Sequence, residues 1–306
     1  MTNIAISSPY FVKKIWGGNK LSKIKRLENL ELPLGESWEV SALSEGPSKI
    51  ADKPLFEMVT KEQLPYLIKF IDTSDHLSVQ VHPDDEYAKA NENSMGKTEC
   101  WIILEASPGA GIYLGFQEGV TKEKFEKAVN DQEDVSKYLN FYPVERGNFF
   151  YVPAGSVHAI GKDVMLAEVQ QSSGITYRVW DWNRVDDKGV GRELHVRQAM
   201  DVLNFDKKEN SLEHFKFSKN IFETNSQELI NHPDFKVQSL CLKTGESIEL
   251  PANQKRIVSV VCLKGSCNVS CEDDSLDVSE FSSAVNMESN NITLRATADC
   301  EVLIIR

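Results

Sequence analysis

The segment Gly147-Asn-Phe-Phe-Tyr-Val-Pro153-Ala-Gly155-Ser-Val-His158 ends a run of strand-forming residues at a turn and returns with a histidine. Pro153 blocks continuation of the strand and Gly155 permits the tight turn, so the imidazole of His158 is expected to point inward from the adjoining strand. Upstream, Gln80-Val81-His82 places two donors on one face, because residues two apart in a strand point the same way. Glu99 opens the apolar run Cys100-Trp-Ile-Ile-Leu104, where a carboxylate is costly unless it is paired or ligates a cation. His82, Glu99 and His158 make a two-nitrogen, one-carboxylate set with Gln80 as a fourth donor, leaving room for water or substrate as a catalytic zinc site requires. Iron would accept the same set. Taken singly, His82 reads as a turn or core histidine and Glu99 as an ion-paired carboxylate; their joint appearance with the Pro-Gly turn points to a metal. His76, His195, His214 and His232 lack such partners and read as structural or surface groups.

These residues need strands to hold them. Residues 1 to about 118 and about 143 to 182 contain short apolar or alternating runs bounded by Gly, Pro, Asn and Asp. Between them, 121–140 carries helical spacing and reads as an insertion, near 119–141, on a β scaffold; 192–203 reads as a second helix. From 211 to 306, turn clusters every 8 to 12 residues separate further strands, the pattern of a sandwich or barrel. No GxGxxG, Walker loop or GxSxG is present, so dinucleotide, P-loop and hydrolase-elbow chemistry have no support.

The chain has 306 residues, which at about 150 per domain predicts two domains. Its net charge of −12 argues against wrapping nucleic acid, where cationic contacts dominate. A small anion remains allowed, since a few cations in one cleft outweigh charge screened beyond about 10 Å. No run approaches the ~18 apolar residues that cross a bilayer, and the N-terminal region does not read as a signal segment, so a cytoplasmic location is expected. Six sparse cysteines are a poor disulfide framework and read as reduced thiols.

The Gly147–His158 spacing, G-x5-P-x-G-x2-H, resembles the second metal-binding motif of the cupin superfamily. A narrower likeness runs from about residue 9 to 205. The segments Trp16-Gly-Gly, GESWEVSA (35–42), PYLIKFID (65–72), LSVQVHPDD (77–85), GKTECWIIL (96–104), FFYVPAGSVHAI (149–160) and QQSSGITYRVWDWNR (170–184) resemble the short bacterial form of type I mannose-6-phosphate isomerase. The resemblance implies a mainly β protein of two cupin-like β-rolls. Residues 1–210 would form the catalytic domain and 211–306 a metal-free roll. It also implies one zinc per chain held by Gln80, His82, Glu99 and His158, and reversible conversion of mannose 6-phosphate to fructose 6-phosphate through an enediol. Arg178 corresponds to the active-site arginine.

The residue types agree with that chemistry. Proton transfer between C1 and C2 requires an electrophile at the oxygens and a base near the carbons. Arg178, a lone cation in the β-like run Ile175–Trp180, suits an enediolate or a phosphate; the bland alternative is a salt bridge to Asp181 or Asp186. Lys97, two residues before Glu99, is expected to shuttle the proton or contact the sugar, and Lys69 to act as a polar anchor. Trp16 is expected in the pocket wall and Glu39 as a weaker base or sugar contact. Longer members carry a His just before this lysine, where this chain has Gly96, so no base role transfers there. The expected partner is a small sugar phosphate, with the chain a monomer or homodimer. A non-catalytic sugar-binding cupin and an iron oxygenase of the same fold are the alternative classes.

Overall fold

The run Leu-Ile-Lys-Phe-Ile at 67–71 has no clean polar–apolar alternation, and the strand that contains it, Tyr66–Asp72, is buried at every residue. A strand reads this way when both of its faces are covered. Tyr66, Ile68 and Phe70 pack outward into a cluster with Val237, Val261, Val285, Leu303 and Ile305. Ile71 points the other way, among Trp16, Trp101, Ile103 and Phe150 inside a β-roll. The second covering layer is therefore another sheet from the far end of the chain.

The protein is described from a computed structural model covering residues 3–28, 33–185, 188–251, 256–288 and 290–306. One face of the first roll is a six-stranded sheet, in the order Phe149–Val152, Glu99–Ala106, Val164–Gln171, Tyr66–Asp72, Leu34–Val40, Tyr10–Gly18. Its other face has five strands, in the order Leu139–Pro143, Gly111–Phe116, His158–Ile160, Val79–Val81, Tyr177–Trp180. The second roll pairs a six-stranded with a four-stranded sheet, whose strands lie between Ser226 and Ile305 except for one edge strand, Ile4–Ile6. All these strand pairs are antiparallel. The fold is mainly β, as the sequence predicts.

Two features cross the expected boundary at 210/211. The strand Ile4–Ile6 pairs with Ser283–Asn286 and so extends the second roll's sheet. In return, Phe215 is buried in the first roll's core and Ser218 bridges to Phe149.

The insertion is shorter in helix than its periodicity predicts. Only Lys122–Asn130 is α-helical, capped by Thr121, followed by a 3-10 turn at Val135–Tyr138 and the strand Leu139–Pro143. Phe125, Ala128 and Val129 bury one face of this helix against the five-stranded sheet, together with Ala199 and Met200 of the helix Val196–Val202. All six cysteines are free thiols. Among the described residues no helix is long and apolar enough to cross a membrane.

Candidate active site

Directly paired residues on antiparallel strands share a face. Gln80 pairs with His158 on one side and Arg178 on the other, so the five-stranded sheet presents these three side chains in one row. The facing sheet presents Trp38, Lys69, Glu168 and Trp101 in a second row, each opposite the next. Glu99 lies two residues before Trp101 and shares its face. Between the rows is a cavity of about 410 Å³, lined among others by Trp16, Lys69, Gln80, Lys97, Glu99 and Arg178. That volume lies within the usual range for small-molecule sites.

The turn after Pro153 acts as the sequence predicts. Gly155, at φ +84°, donates its N–H to the His82 carbonyl at 2.9 Å, which ties the His158 turn to the strand end carrying His82. His82, Glu99 and His158 are all buried, with one donor atom of each within 4.8 Å of the others. His82 Nε2 approaches Glu99 Oε1 at 3.2 Å without hydrogen-bond geometry, so neither nitrogen of this buried imidazole has a partner. His158 Nδ1 lies 3.0 Å from the Ser156 carbonyl, which fixes the proton on Nδ1 and leaves Nε2 free to donate electrons inward. The Gln80 amide ends 3.1 Å from that Nε2. Burial holds His82 well below its ordinary pKa, with Lys97 adding to the effect. Burial also lowers His158 against the opposing pull of Glu99. Both shifts favour the neutral imidazole, the form a metal binds.

Glu36, Glu99 and Glu168 are buried beside Lys69 and Lys97, and the partly exposed Lys14 reaches Glu36 at 3.4 Å. Lys69 Nζ sits 3.1 Å from Glu168 and 3.7 Å from Glu36, and Lys97 Nζ 3.3 Å from Glu99. The Trp101 indole N–H is shared between Glu99 at 3.2 Å and Glu168 at 3.0 Å. Burial opposes the charge of Glu99, yet Lys97, His158 and Lys69 outweigh it and hold the carboxyl low; burial and the Glu99 charge push Glu168 up. The orphaned His82 nitrogens beside Glu99 and His158 fit a divalent cation.

Arg178 is half-buried with Nη1 bonded to the Glu193 carbonyl at 2.7 Å and its buried Nε without a partner. The expected competitor Asp181 instead binds Arg192, at 2.7 Å, and Arg184; Asp186 lies outside the described residues. Burial and the charge of Arg192 both work against the Arg178 cation. Lys97 reaches Thr176 at 3.5 Å as well as Glu99, and burial, with Lys69 nearby, lowers its pKa although Glu99 opposes this. Trp16 is buried in the cavity wall.

Glu39 is not part of this site. It faces the second roll, where it pairs with Lys25 at 2.6 Å and accepts from Ser37 and Ser283. Its neighbours Glu36 and Trp38 face the cavity instead. Period-two alternation from Trp38 selects Glu36, and that signal was available in the sequence. Glu168 was also missed, although a single carboxylate within the buried strand Val164–Gln171 marks it. Arg192 comes from a loop and had no local signal.

Gly96 has a structural cause. A Cβ there would lie 2.6 Å from both Asp84 C and Asp85 N, which are backbone atoms that cannot swing aside. Gly96→Ala is expected to lower stability by about 1–3 kcal/mol, read from the urea midpoint, because the segment leading to Lys97 must move away.

The family model described as phosphomannose isomerase type I, catalytic domain, matches residues 6–99, a span that includes Gln80, His82 and Glu99. A mannose-6-phosphate isomerase of Streptococcus mutans is 42% identical over 214 residues, 65% of this chain and 67% of that protein. A probable mannose-6-phosphate isomerase of Bacillus subtilis is 38% identical over 219 residues, 66% of this chain and 69% of its own length. The crystal structure of the mannose 6-phosphate isomerase from Bacillus subtilis superposes with a TM-score of 0.83 at 26% identity, covering all of both chains. These likenesses and the buried donor cluster agree: the chain belongs to the type I phosphomannose isomerase family and is an aldose–ketose isomerase.

Proposed function

We propose that the chain interconverts mannose 6-phosphate and fructose 6-phosphate through an enediol, with one zinc ion held by His82, Glu99 and His158 and by Gln80 as fourth ligand. The observation that carries this reading is that Glu99 lines one cavity with Gln80, Lys97 and Arg178 while clustering with His158 and the orphaned His82 imidazole. A 180° turn of the Gln80 amide directs its oxygen to the position its nitrogen now occupies beside His158 Nε2. Zinc bound there supplies a Lewis acid that orients and polarises the sugar oxygens.

The remaining work falls to side chains. The Arg178 guanidinium turns its unpartnered Nε towards negative charge developing on the enediol oxygens or towards the phosphate. Lys97, whose ammonium is disfavoured by burial, takes the proton from C2 of the aldose and returns it to C1. O1 takes a proton from solvent in the first step and O2 releases one to solvent in the second, so hydrogen passes from C2 to C1 and from O2 to O1 with no net gain or loss. Lys69 is committed to Glu36 and Glu168 and holds those carboxylates in place. Trp16 closes the wall of the sugar pocket. Residues 1–210 carry this chemistry, and 211–306 form a roll that supports it.

A coupled isomerase assay on purified protein tests the proposal. Turnover of mannose 6-phosphate is expected to vanish on chelation and to return when zinc is added back. Absence of turnover with the metal in place overturns it.

A further inference from the structure

The second roll reaches the residue between Lys97 and Glu99 through the side-chain amide of Gln171. Gln171 is 1% exposed, at the end of the strand Val164–Gln171. Its Oε1 accepts from the Thr98 N–H at 2.8 Å, and its own N–H donates to the Thr98 carbonyl at 3.0 Å. Its Nε2 donates to Asp85 at 3.1 Å and to Asp234 at 2.7 Å. Asp234 belongs to the second roll, in the turn between Ser226–Asn231 and Lys236–Leu242, and lies 3.9 Å from Arg256. One side chain therefore bonds three separate parts of the chain.

Thr98 is the residue between Lys97 and Glu99. Its hydroxyl accepts from the Ala154 N–H at 3.3 Å, in the turn that leads to His158. Just before it, Gly96 donates to Asp85 at 2.7 Å and Lys97 N–H to the Pro83 carbonyl at 3.0 Å, next to His82. The segment that delivers the lysine and the carboxylate is thus fixed by polar bonds rather than by apolar packing. Such bonds are directional, so losing one shifts the segment.

We infer that Gln171 and Asp234 are positioning residues, through which the second roll sets where Lys97 and Glu99 stand in the cavity. The inference rests on the proposed isomerase reading for its kinetic arm, and on hydrogen bonding alone for its exchange arm. Gln171 is buried and its replacement risks misfolding, so the test uses Asp234, which is partly exposed.

In Asp234→Ala, kcat for mannose 6-phosphate is expected to fall about ten-fold with KM within about two-fold, as small displacements of reacting groups are costly. Amide hydrogen exchange in the peptide spanning residues 96–99 is expected to quicken, while bound metal per chain and the thermal midpoint stay near wild type. Asp234→Asn keeps an oxygen that accepts the same bond and is expected to restore both kcat and protection. Unchanged kcat and exchange in Asp234→Ala overturn the inference, as does equal impairment in Asp234→Asn. If wild type itself shows no turnover, the isomerase reading fails, and the exchange arm still decides whether Asp234 holds the segment.

Discussion

Replacing Arg178 with alanine is expected to leave bound metal unchanged and to reduce turnover of mannose 6-phosphate by about 10²- to 10³-fold, the usual cost of losing a preorganised donor at developing negative charge. The two readouts separate because Arg178 is a neighbour of Gln80 on the sheet but not a member of the donor cluster. Its fold is held elsewhere: the Arg178 backbone N–H reaches His195 Nδ1 at 3.2 Å, and this bond survives truncation of the side chain. Steady-state kinetics with metal analysis on the same preparation check the expectation. A variant with full activity removes Arg178 from the reaction, and one that loses metal makes it a support for the ligands instead.

Lys69→Met is expected to be the most destabilising single change at the site, by about 3–5 kcal/mol, because it leaves buried carboxylates without their cation. Burial works against the Lys69 ammonium, but Glu168 and Glu36, aided by Glu99, outweigh it and hold its pKa up to about 12. A raised pKa contributes stability that is full below the unfolded value of 10.5 and is lost as pH rises through about 12. Glu36 is also buried, yet Lys69 and Lys14 hold its carboxyl low; its contribution is present above 4.5 and fades as pH falls through the folded value. The deficit of the variant is therefore expected to narrow on the alkaline side as pH rises from 10.5 through about 12, and on the acid side first as Glu168, whose carboxyl is pushed up, and then Glu36 take protons. Urea denaturation of wild type and variant over both ranges measures it. A deficit that does not vary with pH makes lost packing against Trp38 the cause, since the ammonium also sits 5.0 Å over that ring.

What could be read from the sequence followed the range of the interaction concerned. Pro153, Gly155 and His158 form a local turn, and Gln80 and His82 follow the strand period, so both were legible without tertiary information. The strands of the second roll were legible from turn spacing for the same reason. Glu39 and Glu36 lie three apart in one strand, and choosing between them depended on which face the second roll would cover. The ladder also slips between Trp38 and Val40, which breaks simple alternation beyond that point. The pairing of Lys69 with Glu168 joins residues about a hundred positions apart, and the Gln171–Asp234 bond joins the two rolls. Neither leaves a periodic trace. The stretch 121–140 reads as one helix because its apolar spacing continues past Asn130, whereas the strand Leu139–Pro143 gains an edge pairing with Gly111–Phe116 that is interrupted once, between Leu139 and Phe141. Sheet hydrogen bonds outweighed local helical preference there.

The pairing of Ile4 with Asn286 has a consequence for the order in which the molecule is made. During synthesis from the N-terminus, the first strand leaves the ribosome long before the strand that will hold it, and the intervening chain includes every ligand to the proposed zinc. The first roll must therefore assemble around its cavity with one end of the chain still waiting. Contacts of such separation close late. Translation that stops short of residue 283 leaves Ile4–Ile6 as an exposed, unpaired strand, the kind of edge that nascent chains must keep from pairing with one another.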